Sequence, residues 1–185
     1  GEPCDLMIVT EKMVGQLVEA GWLRADIRVQ LGRVRTGIAV RRGEPHPDAS
    51  TPEALKAALL AADAIYFPDA ARSTAGIHFV GVLRELGIHD QLEPRFRTFP
   101  NGATAMRELA ASEAPRLIGC TQVTEIRYTE GVELVAPLPA RFELTTVYTA
   151  AVSANAAEPA LAVRFIAILA GADTRALREA GGFES

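Results

Sequence analysis

The sequence has few of the features that mark disulfide-rich, membrane-spanning or nucleic-acid-binding proteins, and it shows no signal peptide. Among its 185 residues are two cysteines, Cys4 and Cys120, which are too few and too far apart for a disulfide scaffold or a cysteine metal site. No apolar run approaches the roughly 20 residues that cross a bilayer. The first residues show neither the basic nor the apolar region of a signal peptide. The formal net charge of −4 gives no reason to expect nucleic acid as a partner.

Small and aliphatic residues are abundant instead. Hydrophobic residues make up 49% of the chain and aromatic residues 6%, a composition typical of helices packed on a sheet. Short apolar runs alternate with amphipathic stretches, which predicts an α/β fold with a mostly parallel sheet. The predicted strands are 5–10, 34–40, 64–67, 96–99, 116–120, 132–135 and 142–152. Helices are predicted after 5–10, from the turn 51–53, and over 75–86, 102–111, 159–169 and 174–180.

The first turn that could hold a ligand is 69–76. Ligands of α/β sheets bind beyond the carboxyl ends of the strands, where such strand-to-helix turns lie. Small residues let a ligand approach the backbone, and the free N–H groups at the start of the next helix attract an anion. The alternative is a helix cap with nothing bound. We predict four ligand-binding residues here, Ser73, Thr74, Ala75 and Gly76.

The second turn is 99–104, which also leaves a strand and enters a helix. Asn101 is predicted to cap that helix, and Gly102 lets the backbone come close to a ligand. Thr121 and Gln122 follow the next strand and offer neutral hydrogen-bonding groups. Two such turns in one sheet could converge on a single anion, so we add all four residues to the predicted site.

Two further candidates and one acidic pair complete the polar residues of interest. Thr10 ends the first predicted strand and is included among the ligand-binding residues. Arg35 belongs to a cluster of arginines around one strand; the cluster is either a solvated edge or a border of the ligand cleft that attracts anions. Glu125 and Glu130 are interpreted as part of a solvated face.

The sequence carries few signs of an enzyme. It has no nucleophile elbow, phosphate-binding loop, dinucleotide-binding motif or metalloprotease motif. A nucleophile pair of Cys120 and His78 is conceivable, but nothing in the sequence supplies the third group that orients such a pair. His78 is more simply explained as a hydrogen-bonded, partly buried residue of a helix. We therefore predict no catalysis, no cofactor and no metal site.

Four segments in order give the chain a recognisable likeness. They are 2–9, 31–33, 69–86 and 180–183, which read EPCDLMIV, LGR, DAARSTAGIHFVGVLREL and AGGF. Together they resemble the molybdate-binding group of periplasmic solute-binding proteins of ABC transporters, which have the type II binding-protein fold. The resemblance covers essentially the whole chain.

This resemblance implies two α/β lobes that hold an oxyanion between them by neutral hydrogen bonds. Two crossing strands would join the lobes near 33–36 and 142–148. One lobe would comprise 34–141, and the other 1–33 together with 142–185. The family has a further strand, helix and strand ahead of the point where this chain begins, so the first lobe is expected to be incomplete. We then expect exposed apolar surface around Ile8 and Val152, with self-association or segment exchange.

The resemblance also implies a function. The chain would be an extracytoplasmic receptor that captures a small oxyanion such as molybdate and presents it to an ABC transporter permease. The family's ligand-facing backbone N–H groups match Ala75 and Gly102. The strand that ends at Cys120 lacks the tyrosine that molybdate binders place there, so the identity of the anion stays open. The alternatives are an effector-sensing domain of a transcriptional regulator and a receptor for a small organic anion.

Overall fold

The computed structural model describes residues 4–184. Glu2 and Pro3, which open the first segment of the resemblance, lie outside the described residues. The chain divides into two compact units: unit 1 comprises Gly1–Val34 and Thr146–Ser185, and unit 2 comprises Arg35–Thr145. That these two units correspond to the two lobes expected from the resemblance stays a prediction.

Strands and helices alternate through much of the described chain. The strands are β1 (Leu6–Thr10), β2 (Leu23–Arg41), β3 (Ala64–Pro68), β4 (Phe96–Phe99), β5 (Leu117–Gln122), β6 (Val132–Pro137) and β7 (Thr145–Ser153). The helices are α1 (Glu11–Glu19), α2 (Pro52–Ala61), α3 (Thr74–Glu85), α4 (His89–Leu92), α5 (Gly102–Ala111), α6 (Val123–Tyr128), α7 (Pro159–Ala170) and α8 (Arg175–Ala180).

Capping residues explain where several helices begin. The hydroxyls of Thr10 and Thr51 accept the backbone N–H groups of Met13 and Ala54, which have no partner inside their helices. Pro52 occupies the first turn of α2, where its missing N–H costs nothing. These local signals explain why the sequence predicted the start of α2 correctly.

Several elements differ from the sequence prediction. β2 begins at Leu23, far ahead of the predicted start at 34, because its first half is mostly exposed and shows no clean hydrophobic alternation. The last strand begins at Thr145 instead of 142, because residues 140–142 form a short 3₁₀ turn that buries Phe142. The six-residue helix α6 is too short for a periodic signal and was not predicted.

The sheet of unit 2 is mixed rather than mostly parallel. β3 pairs in parallel with β4 and with β5, so it lies between them. β2 runs antiparallel to β5 and β6. Strands joined through a helix are expected to be parallel neighbours, but β2 does not pair with β3, the strand that follows its helix. The prediction of a mostly parallel sheet is therefore right for β3, β4 and β5 alone.

Helices cover both faces of this sheet. On one face α2 and α3 pack against the sheet through Leu55, Leu59, Phe79 and Leu83, in one core with Ile38, Ile65, Phe67, Ile118 and Cys120. On the other face α5 and α6 pack through Met106, Leu109 and Ile126, in a second core with Ala39 and Tyr66. Each fully buried side chain of this size contributes roughly 1.5–3 kcal/mol of hydrophobic stabilisation. These cores fix the starts of the helices relative to the strand ends.

In unit 1, β1 pairs antiparallel with β7, from Leu6 opposite Val152 to Thr10 opposite Tyr148. Ile8 is 41% exposed, as the sequence predicted. Val152 is 0% exposed, so the expectation of exposed apolar surface there is wrong; it packs in a core with Leu31, Ala150, Ala162 and Ile166. Self-association and segment exchange stay predictions.

Within residues 4–184, no helix combines the length and the apolar character that a membrane span requires.

Candidate functional site

The carboxyl ends of β3, β4 and β5 lie at one edge of unit 2. The two parallel pairings place Pro68 beside Phe99, and Tyr66 beside Gly119. The backbone N–H of Asp69 donates to the carbonyl of Phe99 at 2.7 Å, which joins the turns that follow β3 and β4. The structure thus brings the two predicted turns to the same edge of the sheet, with α3, α5 and α6 starting there.

The N terminus of α3 offers a row of backbone donors. Ser73 occupies the capping position, but its hydroxyl makes no capping hydrogen bond. The first bond of the helix runs from the Ile77 N–H to the Ser73 carbonyl at 2.9 Å. Within the described chain, the N–H groups of Thr74, Ala75 and Gly76 donate to no protein acceptor. Such groups carry the positive end of the helix dipole and favour an anion.

Gly76 lets α3 begin this close to the end of β3. A β-carbon at Gly76 would overlap the carbonyl oxygens of Pro68 and Asp69. Asp69 also holds the turn together, because its carboxylate accepts the N–H groups of Ala71 at 2.7 Å and Arg72 at 3.1 Å. The turn is therefore fixed by the close backbone approach at Gly76 and by the Asp69 carboxylate.

The N terminus of α5 is arranged differently. Asn101 caps the helix by accepting the Thr104 N–H at 2.8 Å. The Glu125 carboxylate accepts the Ala103 N–H at 3.2 Å and the Thr121 hydroxyl at 2.5 Å. A β-carbon at Gly102 would overlap that carboxylate and the Thr121 hydroxyl. The chain's own carboxylate thus lies against the position at which Gly102 was predicted to meet an external anion.

The interpretation of Glu125 as part of a solvated acidic face is wrong. Glu125 is half-buried, whereas Glu130 is exposed. Sequence reasoning missed the role of Glu125 because it depends on the short helix α6 and on the pairing of β5. One local signal was available: Thr121, Glu125 and Thr129 follow each other at steps of four, and each pair is hydrogen-bonded.

The remaining polar residues of the strands lie on opposite faces of the sheet of unit 2. Successive residues of a strand point to opposite sides of the sheet. Thr121 faces α5, while Gln122 lies on the side of Cys120, which packs with α3. Thr36 is the partner of Gln122 in the register of β2 and β5, and it shares the α3 side with Ile38. The predicted site is therefore divided between two faces.

Thr36 is a second residue that the sequence did not single out. It is 1% exposed, and its hydroxyl has no hydrogen-bond partner among the described residues. A buried polar group left unsatisfied costs about 1–3 kcal/mol. An acceptor from a ligand would remove that cost. Thr36 therefore adds a buried, unsatisfied donor to the α3 face, at the carboxyl end of β5.

The two other predicted residues take separate positions. Thr10 belongs to unit 1, where its side chain is engaged as the cap of α1. Arg35 is half-buried on β2, next to Thr36.

Arg72 is an exposed cation on the turn after β3 and lines a shallow cavity with Asp69 and Pro100. It adds positive charge at the edge where α3 begins.

Cys120 and His78 are not arranged as a nucleophile pair. Cys120 is 0% exposed, and burial raises the pKa of its thiol well above the usual value. The thiol therefore stays protonated at neutral pH and out of reach of a substrate. Nε2 of His78 is hydrogen-bonded to the Phe142 carbonyl at 2.8 Å. No cluster of metal-ligating side chains occurs among residues 4–184.

Alkylation should distinguish the two cysteines. We expect iodoacetamide to modify the exposed Cys4 in the native protein and to leave Cys120 unmodified until the chain is unfolded in urea. Peptide mass spectrometry reads out each site, and a Cys4→Ser variant provides the matched control with no native modification. Rapid native modification of Cys120 would show a reactive, accessible thiol and would restore the nucleophile interpretation.

Comparison with known proteins gives three kinds of match. The family model described as "Bacterial extracellular solute-binding protein" matches residues 1–184. A curated protein from a Pseudomonas species, named aconitate isomerase, is 26% identical over 182 residues, which are 97% of this chain and 67% of that protein.

Two solved structures illustrate the structural likeness. The periplasmic molybdate-binding protein of Azotobacter vinelandii matches with a TM-score of 0.78 and 19% identity, over 100% of this chain and 80% of that chain. The sulfate-binding protein SubI of Mycobacterium tuberculosis H37Rv matches with a TM-score of 0.70 and 18% identity, over 99% of this chain and 69% of that chain. At this level of identity the likeness concerns the fold.

Proposed function

The chain belongs to the bacterial extracellular solute-binding protein family and has the type II periplasmic-binding-protein fold, and from this premise we propose its function. It is the extracytoplasmic solute-binding component of an ABC transporter, it binds a small anion, and it delivers that anion to the transporter's permease. Solute-binding proteins of ABC transporters make up this family, and two structurally similar proteins bear the names of a molybdate-binding and a sulfate-binding protein.

The N terminus of α3 carries this proposal. Its three backbone donors at Thr74, Ala75 and Gly76 have no protein acceptor among the described residues, and the Ser73 hydroxyl is not used as a cap. A hydrogen bond to a charged group contributes about 1.5–3 kcal/mol, so several converging donors suffice to hold a small anion. The unsatisfied Thr36 hydroxyl supports the same face of the sheet.

The anion is either a tetrahedral oxyanion, as the molybdate- and sulfate-binding relatives suggest, or a small organic acid. Neutral donors hold either kind of anion through its oxygen atoms. The Pseudomonas relative named aconitate isomerase supports the organic acid.

A second candidate function is an isomerase that moves a proton within a polycarboxylate. The name of the Pseudomonas relative favours it, and Glu125 supplies a half-buried carboxylate at the same sheet edge that could accept and return that proton. The reaction would remove a proton from one carbon of the substrate and return it to another, with no net change in composition.

Binding and turnover are measured together to test the proposal. The purified protein is titrated by calorimetry with molybdate, sulfate and trans-aconitate, and the trans-aconitate mixture is then analysed by liquid chromatography. We expect saturable binding of at least one probe and no conversion of trans-aconitate. Conversion to the cis isomer would establish the second candidate in place of the first. Absence of binding to all three probes would contradict the anion site at α3.

A further inference from the structure

A cavity of about 290 Å³ lies in unit 2 between β2, β5 and the end of α2. Its lining residues are apolar except for Glu44 and Arg116. It lies at the amino end of β5, whereas the donors of α3 follow the carboxyl end of β3, a strand parallel to β5. The two places are therefore at opposite edges of the sheet. An engineered apolar cavity of about 150 Å³ is large enough to bind benzene, so this one has room for a small molecule.

The cavity opens where two neighbouring strands separate. The last pair between β2 and β5 is Ala39 opposite Gly119. Beyond that pair, Val40 continues along β6 and Ile118 continues along β3. Both side chains are buried and line the cavity, on the face of the sheet that α2 covers. The separation of the strands thus gives the cavity an apolar floor.

Small and stiff residues form the other walls. On α2 and directly after it the lining residues are Ala58, Ala61 and Ala62, whose side chains end at the β-carbon and do not reach across the gap. In the loop after β2 they are Pro45 and Pro47, whose rings fix the backbone dihedral φ. Protein interiors normally close voids much larger than a water molecule. These walls have little freedom to close this one.

The loop that carries the two prolines is tied down along its length. The Glu44 carboxylate accepts the Arg41 guanidinium at 2.5 Å, and Nε2 of His46 lies 3.2 Å from the Glu133 carboxylate. Ala49 is 2% exposed and belongs to the core beneath α2. The cavity is therefore preformed, as binding sites for small molecules usually are.

The two charged residues that line the cavity already have partners. Glu44 is paired with Arg41, and the Arg116 guanidinium donates to the Asp63 carboxylate at 2.7 Å. The carbonyl of Arg116 also accepts the Asp63 N–H at 3.0 Å, so this pair is held by two bonds. An anion would have to displace Asp63, and a cation would have to displace Arg41. An ion without such a partner would lose its hydration in an apolar cavity and gain nothing in return.

We propose that this cavity is a second ligand site, which binds a small, uncharged and mostly apolar molecule. Such a ligand leaves both ion pairs intact and gains from the burial of its apolar surface. The inference does not depend on the proposed function, because the cavity shares no residue with the N terminus of α3.

Three probes of nearly one shape test the ligand class at neutral pH: benzamide is uncharged, benzoate is an anion and benzamidine is a cation. Titrations followed by ¹H–¹⁵N NMR give each affinity from the backbone amide signals of Val40 and Ile118, which report on the cavity alone. We expect benzamide to bind there with a Kd of about 1 mM or below, at least about tenfold more tightly than either ion.

Variants with a larger side chain then assign the binding to the cavity. Ala58→Leu fills part of the space and should weaken benzamide binding at least about tenfold. Ala61→Leu does so from an exposed position and serves if Ala58→Leu does not fold. Ala57→Leu makes the same change at an exposed position of α2 outside the cavity and should keep the wild-type affinity. Circular dichroism checks that each variant is folded.

A third kind of variant tests why ions are disfavoured. Asp63→Asn removes the negative partner of Arg116, so benzoate should then bind within about threefold of benzamide. Asp90→Asn removes an exposed carboxylate that does not line the cavity and should leave the preference for benzamide unchanged.

The outcomes keep this inference apart from the anion site. If benzamide does not shift the signals of Val40 and Ile118 in a saturable way, the second site does not exist, and anion binding at α3 is unaffected. Unchanged benzamide affinity in the folded cavity-filled variants also overturns it. Benzoate or benzamidine binding in the wild-type cavity as tightly as benzamide overturns the uncharged class. Benzoate that binds at α3 instead shifts the amide signals of Thr74 and Ala75 and is unaffected by Ala58→Leu.

Discussion

Replacing Thr74 with proline should weaken anion binding by at least tenfold while the protein stays folded. The substitution removes one backbone donor at the start of α3 and places a ring where the ligand approaches. Losing one hydrogen bond to a charged group costs about 1.5–3 kcal/mol, which corresponds to roughly 10- to 150-fold in affinity. Calorimetry with the probe that binds the wild-type protein measures the loss.

The backbone is already suited to this proline. Ser73 has φ −85° and ψ 133°, the extended conformation that the residue before a proline prefers, and the first helical position tolerates proline best. The start of α2 provides a native example, with Thr51 in an extended conformation before Pro52.

Thr74→Val is the matched control for the proline variant. It removes the hydroxyl but keeps the backbone N–H, so it should bind within a few-fold of the wild-type protein. Unchanged affinity in folded Thr74→Pro would place the ligand elsewhere. A loss of equal size in both variants would assign the contact to the hydroxyl rather than to the backbone.

Gly76→Ala should destabilise the protein by about 2 kcal/mol or more. The new β-carbon would overlap the backbone oxygens of Pro68 and Asp69, which cannot rotate away as a side chain would. Overpacking of this kind typically costs about 1–3 kcal/mol, and a clash with backbone lies at the upper end. The gain in helix propensity, about 0.5–1 kcal/mol, offsets only part of the cost. Urea unfolding followed by circular dichroism gives the difference.

Gly81 gives the matched control within the same helix. A β-carbon there would meet nothing within 4 Å, so Gly81→Ala should stabilise the protein by about 0.5–1 kcal/mol. The two substitutions have the same chemistry and opposite expected signs. If Gly76→Ala is as stable as Gly81→Ala, α3 does not begin as close to the end of β3 as described, and the donor row loses its fixed position.

Local sequence signals predicted much of what lies within one turn of a helix. Asn101 as the cap of α5 and Gly102 as its first residue follow from interactions that span three or four positions. The same holds for Thr51 and Pro52 at α2. Such signals also identified the turn after β3, because small and hydroxyl-bearing residues stand out in any sequence. The assignment of these residues to a ligand remains a prediction.

The sequence by itself determined the alternation of strands and helices, the caps, and the turns that end at the carboxyl edge of the sheet. Only the tertiary structure decided that β3 lies between β4 and β5 and that the Glu125 carboxylate meets Ala103, 22 residues away along the chain. It likewise decided that Thr36 is buried opposite Gln122 on the α3 face. Periodicity and capping report on interactions between near neighbours, whereas strand order is set by hydrophobic packing between distant segments. Thr36 therefore carried no local signature of its position, and Glu125 carried only its four-residue spacing from Thr121 and Thr129.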